Sequence, residues 1–209
     1  MAEPERPGAE RWVPEDAGIP RLRDAVQDCR GCELWAHATQ AVFGDGHEKA
    51  RMMLVGEQPG DREDLAGEPF VGPAGRVLDE ALERADIARE EIYVTNAVKH
   101  FRFEQRGKRR IHEKPGVVHI DACRAWLEAE MRAVDPRVVV CLGATAARSV
   151  LGRTVRVGPE RGQPIAHEGR TVVVTTHPSA LLRVRDTAER ESALVALTAD
   201  LRVAARESA

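Results

Sequence analysis

Apolar residues along the chain fall into short unbroken runs separated by longer stretches of helical spacing. Arg51–Gly56 (RMMLVG) and Arg137–Leu142 (RVVVCL) are runs without polar alternation, and Ile92–Thr95 and Thr171–Thr176 are β-branched and similarly apolar. Such runs predict four strands covered on both faces. Between them the period changes. Pro73 opens a helix with Val77, Leu78, Ala81, Leu82 and Ala85 on one side, proline being suited to a first helical turn. Helices are also predicted over Val117–Ala133, from Gly143 to Leu151, and over Ala188–Ala205. Arg21–Ala36 reads as helical around Cys29 and Cys32, Glu57–Gly72 as a Gly- and Pro-rich loop, and Val155–Ala166 as a hairpin or irregular strand pair. Residues 1–20, with Pro4, Pro7, Pro14 and Pro20 and little apolar pattern, read as a flexible tail before a single domain over 21–209. No internal repeat is visible.

Strand alternating with helix implies an α/β fold, a three-layer α/β/α arrangement around a central, mostly parallel four-stranded sheet. In such sheets ligands bind beyond the carboxyl ends of the strands. Glu57 and Gln58, Asn96, Gly143 and His177 each follow a predicted strand, so the topology brings them together.

Composition narrows the setting. The chain has 209 residues, a net charge of −3, 43% hydrophobic residues and 4% aromatic ones. No apolar run approaches the roughly 18 residues of a membrane span, and the Glu-, Pro- and Arg-rich beginning lacks a signal-peptide core. A cytoplasmic protein and no membrane partner are expected. Four cysteines in a reducing compartment argue for metal or redox chemistry over disulfides. Against the acidic total, Lys99–Lys114 carries seven Lys or Arg and two Glu, a local charge of +5. It reads as a basic loop, Gly107-Lys-Arg-Arg-Ile-His112, suited to phosphate contact.

Individual residues suggest chemistry, each with an alternative. Gly56-Glu-Gln-Pro-Gly60 is a turn whose glycines allow close backbone approach to a ligand, or an ordinary strand–helix loop. Phe70 is a local plug or a stacking platform for a base. The Asn96 carboxamide, acceptor and donor together, matches uracil N3–H and O4, or simply closes a strand. His177, before Pro178, polarises a carbonyl or caps a helix. Cys29-x-x-Cys32 with Cys123 and Cys141, which have 17 residues between them, suits zinc or a [4Fe–4S] cluster; Cys141 alone equally suits a small apolar core position.

These motifs together resemble the uracil-DNA glycosylase superfamily, in particular its iron–sulfur branch and the UdgX type within it. The resemblance spans about residues 29–201. It is carried by Gly-Glu-Gln-Pro-Gly at 56–60, Pro-Phe-Val-Gly-Pro-Ala-Gly at 69–75, Thr-Asn-Ala-Val-Lys-His at 95–100, Lys-Arg-Arg-Ile-His at 108–112, Leu-Gly-Ala-Thr-Ala at 142–146 and His-Pro-Ser at 177–179. It implies a glycosylase-like fold, uracil-containing DNA as partner, with single-stranded DNA preferred or accepted, and free uracil as product; a monomer is the default expectation, no sequence feature pointing to an oligomer. It implies that Cys29, Cys32, Cys123 and Cys141 hold a structural [4Fe–4S] cluster, that Phe70 stacks on the flipped base, and that Asn96 reads its edge. His177 would stabilise charge on the departing uracil, and Asp61 would position water or the base. Gly60, Gln58 and Arg110 would shape the substrate site, and Glu57 and His112 would carry the distinctive chemistry. Gln58 and the Lys-Arg-Arg-Ile-His insertion are the features specific to the UdgX type. The expected reaction is uracil excision followed by attachment of His112 to C1′ of the abasic sugar, with Glu57 taking or sharing the imidazole proton. The alternatives are an ordinary turnover glycosylase and a metal-stapled DNA-binding module without catalysis.

Overall fold

The structure, a computed structural model, describes residues 6–208. Its strands are β1 (Asp45–Gly46), β2 (Met52–Gly56), β3 (Tyr93–Asn96), β4 (Phe103–Arg106), β5 (Arg109–His112), β6 (Val138–Leu142), β7 (Pro164–His167) and β8 (Arg170–Thr175). Its helices are α1 (Ile19–Ala25), α2 (Asp61–Ala66), α3 (Pro73–Arg84), α4 (Val117–Val134), α5 (Ala144–Leu151), α6 (Val157–Glu160) and α7 (Thr187–Ser208). The main sheet runs β1-β3-β2-β6-β8-β7. The four central strands are parallel, as expected, and an antiparallel strand is added at each edge.

Both faces of this sheet are covered, which explains the unbroken apolar runs. Met53, Val55, Val139 and Cys141 face a core shared with α1, α4 and α5. Met52, Leu54, Val138, Val140 and Leu142 face a second core with α3 and α7. Each fully buried side chain of this size contributes about 1.5–3 kcal/mol. Among the parallel strands β2 comes first in the chain, with β3 on one side of it and β6 on the other. The winding direction therefore reverses at β2, and the crevice at its carboxyl end is the natural binding place.

Several expected elements differ, among them the Glu57–Gly72 loop, which contains α2. The basic segment is not a loop but a separate antiparallel hairpin of β4 and β5, pairing Phe103 with His112 and Arg106 with Arg109; Gly107 turns it with φ +59°. Arg21–Ala36 is not one helix. After α1 the chain tightens into a single 3₁₀ turn, and Cys29 and Cys32 adopt extended backbone on either side of Gly31. A Cβ on Gly31 would stand 2.9 Å from Gly8 O, so the chain before α1 lies directly against this turn. Residues 1–5 of the expected tail fall outside the described residues. From Arg6 onward it is packed, with Ala9 and Ile19 buried and Gly8 N donating to Gly31 O at 3.1 Å. Finally, 155–166 begins as the short helix α6, whose Arg156 amide donates to Glu160 Oε1 at 2.9 Å; only its end, β7, is strand, and it pairs with β8.

Candidate active site at the carboxyl ends of the strands

Gly56 ends β2 and marks the centre of the site. A Cβ there would lie 2.3 Å from Asn96 Oδ1 and 2.6 Å from Phe70 Cζ. The absent side chain is what allows the carboxamide and the ring to meet. Asn96, paired with Gly56 in the ladder, is buried. Phe70 has φ +58°, a left-handed conformation rare for a bulky residue and costing on the order of 1–3 kcal/mol. Its loop is closed by Glu63, whose carboxylate accepts from Gly60 N at 3.1 Å and from Gly72 N at 2.7 Å. Gly60 thus serves as the start of α2 and one end of this clasp.

His177 follows β8 and lies over Phe70, with ring centroids 6.0 Å apart and 29° between planes. Its Nδ1 accepts from Ser179 N at 3.2 Å, which leaves the proton of the neutral ring on Nε2 as a donor. Burial, with smaller electrostatic contributions from His112 and Arg183, pushes its pKa down to about 4. A neutral donor is therefore presented to the pocket at physiological pH.

Glu57 follows Gly56. Thr145, buried in the first turn of α5, donates its hydroxyl to Glu57 Oε2. The other carboxylate oxygen, Oε1, faces His112 Nε2 at 3.6 Å. Sequence reasoning missed Thr145 as a partner; it lies within Leu-Gly-Ala-Thr-Ala, directly after β6.

The hairpin that carries His112 is fixed at two points. Gln58 Nε2 donates to Arg102 O and to Glu113 O, both at 3.1 Å, and Gln58 Oε1 accepts from Arg102 N at 3.2 Å. One carboxamide thus ties both ends of the hairpin to the turn after β2. Arg110 reaches from β5 to Asp61 at 2.6 Å, to the fully buried Asp64 at 2.5 Å and to Thr39 at 3.1 Å. Its guanidinium also lies over the rings of Phe101 and Phe103. Gln58 and Arg110 accordingly shape the loop, and Asp61 is engaged with Arg110. Of the seven cations between 99 and 114, Lys99 pairs with Glu130, Arg102 with Glu113, Arg106 with Glu104, and Arg110 as above. Among the described residues, exposed Lys108, Arg109 and Lys114 have no carboxylate partner, and Lys108 and Arg109 sit at the hairpin tip.

All four cysteines are free and buried. Among the described residues no three His, Cys, Asp or Glu side chains stand in ready-made metal geometry. Three thiols nevertheless have the surroundings of ligands. Cys29 Sγ accepts from Trp126 Nε1 at 3.2 Å and Gly31 N at 3.4 Å, and Cys123 Sγ from Lys99 N at 3.3 Å. Burial pushes Cys32 up to about 11 and Cys123 up to about 12, and each also feels Cys29. Buried N–H donors aimed at sulfur suit thiolates that a metal would discharge. Cys141 has different surroundings. It sits within β6 between Val55 and Val174, no N–H reaches its sulfur among the described residues, and burial alone raises it. His100, one residue past the amide that donates to Cys123, is buried without a side-chain hydrogen bond among the described residues. Burial lowers it to about 4, leaving its ring neutral.

The site brings an aromatic ring, a carboxamide and a neutral imidazole together at the ends of parallel strands. Comparison with known families decides its kinship: the model of the uracil DNA glycosylase superfamily matches residues 43–202. The chain belongs to this superfamily. It is 38% identical over 166 residues to a type-4 uracil-DNA glycosylase of Thermotoga maritima, covering 78% of this chain and 83% of the relative. It is 32% identical over 175 residues to a type-4 enzyme of Pyrobaculum aerophilum, covering 79% and 85%. The superfamily match takes in all four strand ends just described. No helix among the described residues is long and apolar enough to cross a membrane.

Proposed function

We propose that this chain is a uracil-DNA glycosylase that removes uracil from DNA and remains attached through His112 to C1′ of the abasic sugar. Family membership and two type-4 relatives support the glycosylase part. The covalent part is carried by one observation: the hairpin fixed by Gln58 and Arg110 holds His112 beside Glu57 at 3.6 Å, at the edge of the pocket.

Uracil inside a duplex has to leave the stack to be reached, at a few kcal/mol, and least in single strands. Phe70 stacks on the flipped ring, and Asn96 pairs with its N3–H and O4. The C1′–N1 bond breaks with its electron pair leaving on uracil. The Nε2 proton of His177, held neutral by burial, is a hydrogen-bond donor for the resulting anion. The sugar becomes oxocarbenium-like. With the His112 proton on Nδ1, the Nε2 pair is free to bond to C1′. The ring becomes a cation opposite Glu57, whose orientation Thr145 fixes, and then loses the Nδ1 proton to water. A neutral N-alkyl imidazole is a poor leaving group, so turnover stops. The unpaired cations at the hairpin tip contact backbone phosphates, giving salt-sensitive affinity.

For the cluster, Cys29, Cys32 and Cys123 are the proposed thiolate ligands. Cys141 has the surroundings of a core residue, and His100 is the proposed fourth ligand. When bound, the cluster would supply a covalent brace between the segment after α1, α4 and the turn after β3. The test is attachment itself: a uracil oligonucleotide should yield a denaturation-resistant adduct with the protein, lost in His112→Ser. Abasic DNA released free by the unaltered protein would instead establish ordinary turnover, as the type-4 relatives' name allows.

A further inference from the structure

A single tight turn separates Asn96 from the cysteine nest, and its amides are all held. Ala97 N donates to Gly56 O at 3.0 Å, Val98 N to Glu57 O at 3.0 Å, and Lys99 N to Cys123 Sγ at 3.3 Å. The turn thus fastens Asn96 and Glu57 to the same support. Its last constraint comes from a side chain. Lys99 is fully buried and folds back so that Nζ donates to the carbonyl of Asn96 at 2.7 Å and to Thr95 Oγ1 at 2.8 Å. Its counter-charge is Glu130 on α4, also fully buried, which further accepts from Tyr93 OH at 3.0 Å and Gly44 N at 3.0 Å. A buried lysine–glutamate pair is weak evidence for stability, because desolvation offsets its attraction. Apolar side chains would fill the same space.

We infer that Lys99 is a positioning residue for base recognition. By holding the Asn96 carbonyl it fixes the peptide plane after Asn96, and hence the direction of the carboxamide at the pocket floor. Its amide, on Cys123, carries the same constraint to the proposed metal site. Lys99 touches neither the base nor the DNA: its Nζ is sealed beneath the sheet end. This inference rests on the proposal that Asn96 reads the uracil edge.

The experiment uses the full, cluster-loaded chain carrying Lys99→Met together with Glu130→Gln, which avoids stranding a buried carboxylate. Two affinities are measured: free uracil, from its inhibition of excision, and an oligonucleotide bearing a tetrahydrofuran abasic analogue. The expected result is uracil affinity lower by about tenfold or more, as for a polar site whose partner is displaced, with abasic-DNA affinity unchanged. Uracil affinity that stays the same in a folded variant, or both affinities falling together, overturns the inference. If the pair variant does not fold, Lys99→Arg keeps the charge opposite Glu130 but displaces the donor from Asn96 O, and carries the same expectation. Asn96→Ala separates the two layers. If it leaves uracil affinity unchanged, the reading of Asn96 itself fails. If it weakens uracil while the Lys99 variants do not, only the inference about Lys99 fails.

Discussion

Replacing Gly56 by alanine adds one methyl group where two functional side chains meet. That carbon would stand 2.3 Å from Asn96 Oδ1 and 2.6 Å from Phe70 Cζ, whereas unstrained contacts lie at about 3.5–4 Å. Each neighbour has to retreat by about 1 Å or more. Gly56 cannot move instead, because β2 is hydrogen-bonded to β3 and β6 on its two sides. Nor is Phe70 free to yield through its backbone: a Cβ on Gly75 would meet Phe70 O at 1.7 Å, so the two backbone segments already touch. Overpacking of this kind costs about 1–3 kcal/mol of stability. A catalytic group displaced by about 1 Å loses on the order of 10²-fold in rate. Single-turnover excision from a uracil oligonucleotide, run beside thermal unfolding, measures both effects. Gly56→Ala should remain folded, bind an abasic analogue normally and excise about 100-fold more slowly. A folded variant that excises at nearly the original rate would mean that Asn96 and Phe70 do not jointly enclose the base, and the pocket assignment would fall.

Other substitutions separate the parts of the site. Arg110→Met breaks the link from the hairpin to Asp61 and Asp64; adduct formation should fall about tenfold or more while uracil release is nearly kept, since the link positions only the loop, and equal loss of both would contradict that division. Cys32→Ser, Cys123→Ser and His100→Ala should each lower bound iron and absorbance near about 400 nm, whereas Cys141→Ser should keep them; loss of iron in Cys141→Ser would restore it as a ligand. His177 is held near 4 by burial, against about 6.5 in an unfolded chain. Its neutral burial therefore supports the fold fully above about pH 6.5, and the fold loses about 3 kcal/mol as pH falls to about 4 and below. NMR titration of the His177 ring should show no protonation above about pH 5, and a midpoint near 6.5 would contradict the burial argument.

The parallel core and its strand-end residues were legible in the sequence for a physical reason. Strands buried on both faces need unbroken apolar runs, and parallel strands need helical crossovers, so Met52–Gly56 and Val138–Leu142 identify themselves and place Glu57 and Gly143. The edge strands gave no such signal. Asp45–Gly46 is exposed, and Pro164–His167 alternates between exposed and half-buried positions. The hairpin of β4 and β5 was hidden because its exposed positions carry charge on both faces, leaving only Gly107 to mark the turn. Cys29 and Cys32 sit at helical spacing, yet their side chains turn inward around Gly31, a tertiary effect that periodicity does not encode. Lys99 looked like one more phosphate-seeking cation. Its burial against Glu130, 31 residues away, follows from how α4 crosses the sheet, and Thr145 meets Glu57 across 88 residues for the same kind of reason. Cys141 lies in an apolar strand whose pattern would read the same with valine there.

Covalent capture is tested most directly by one denaturing gel. Purified protein is mixed with a labelled single-stranded oligonucleotide containing one uracil, boiled in detergent and resolved beside the same mixture made with His112→Ser. The expected result is a labelled band at the combined mass of protein and DNA, absent for His112→Ser and absent when thymine replaces uracil. Free DNA that breaks on alkali treatment, with no protein-bound band, would contradict capture and leave His112 as a DNA-contacting residue of an ordinary glycosylase.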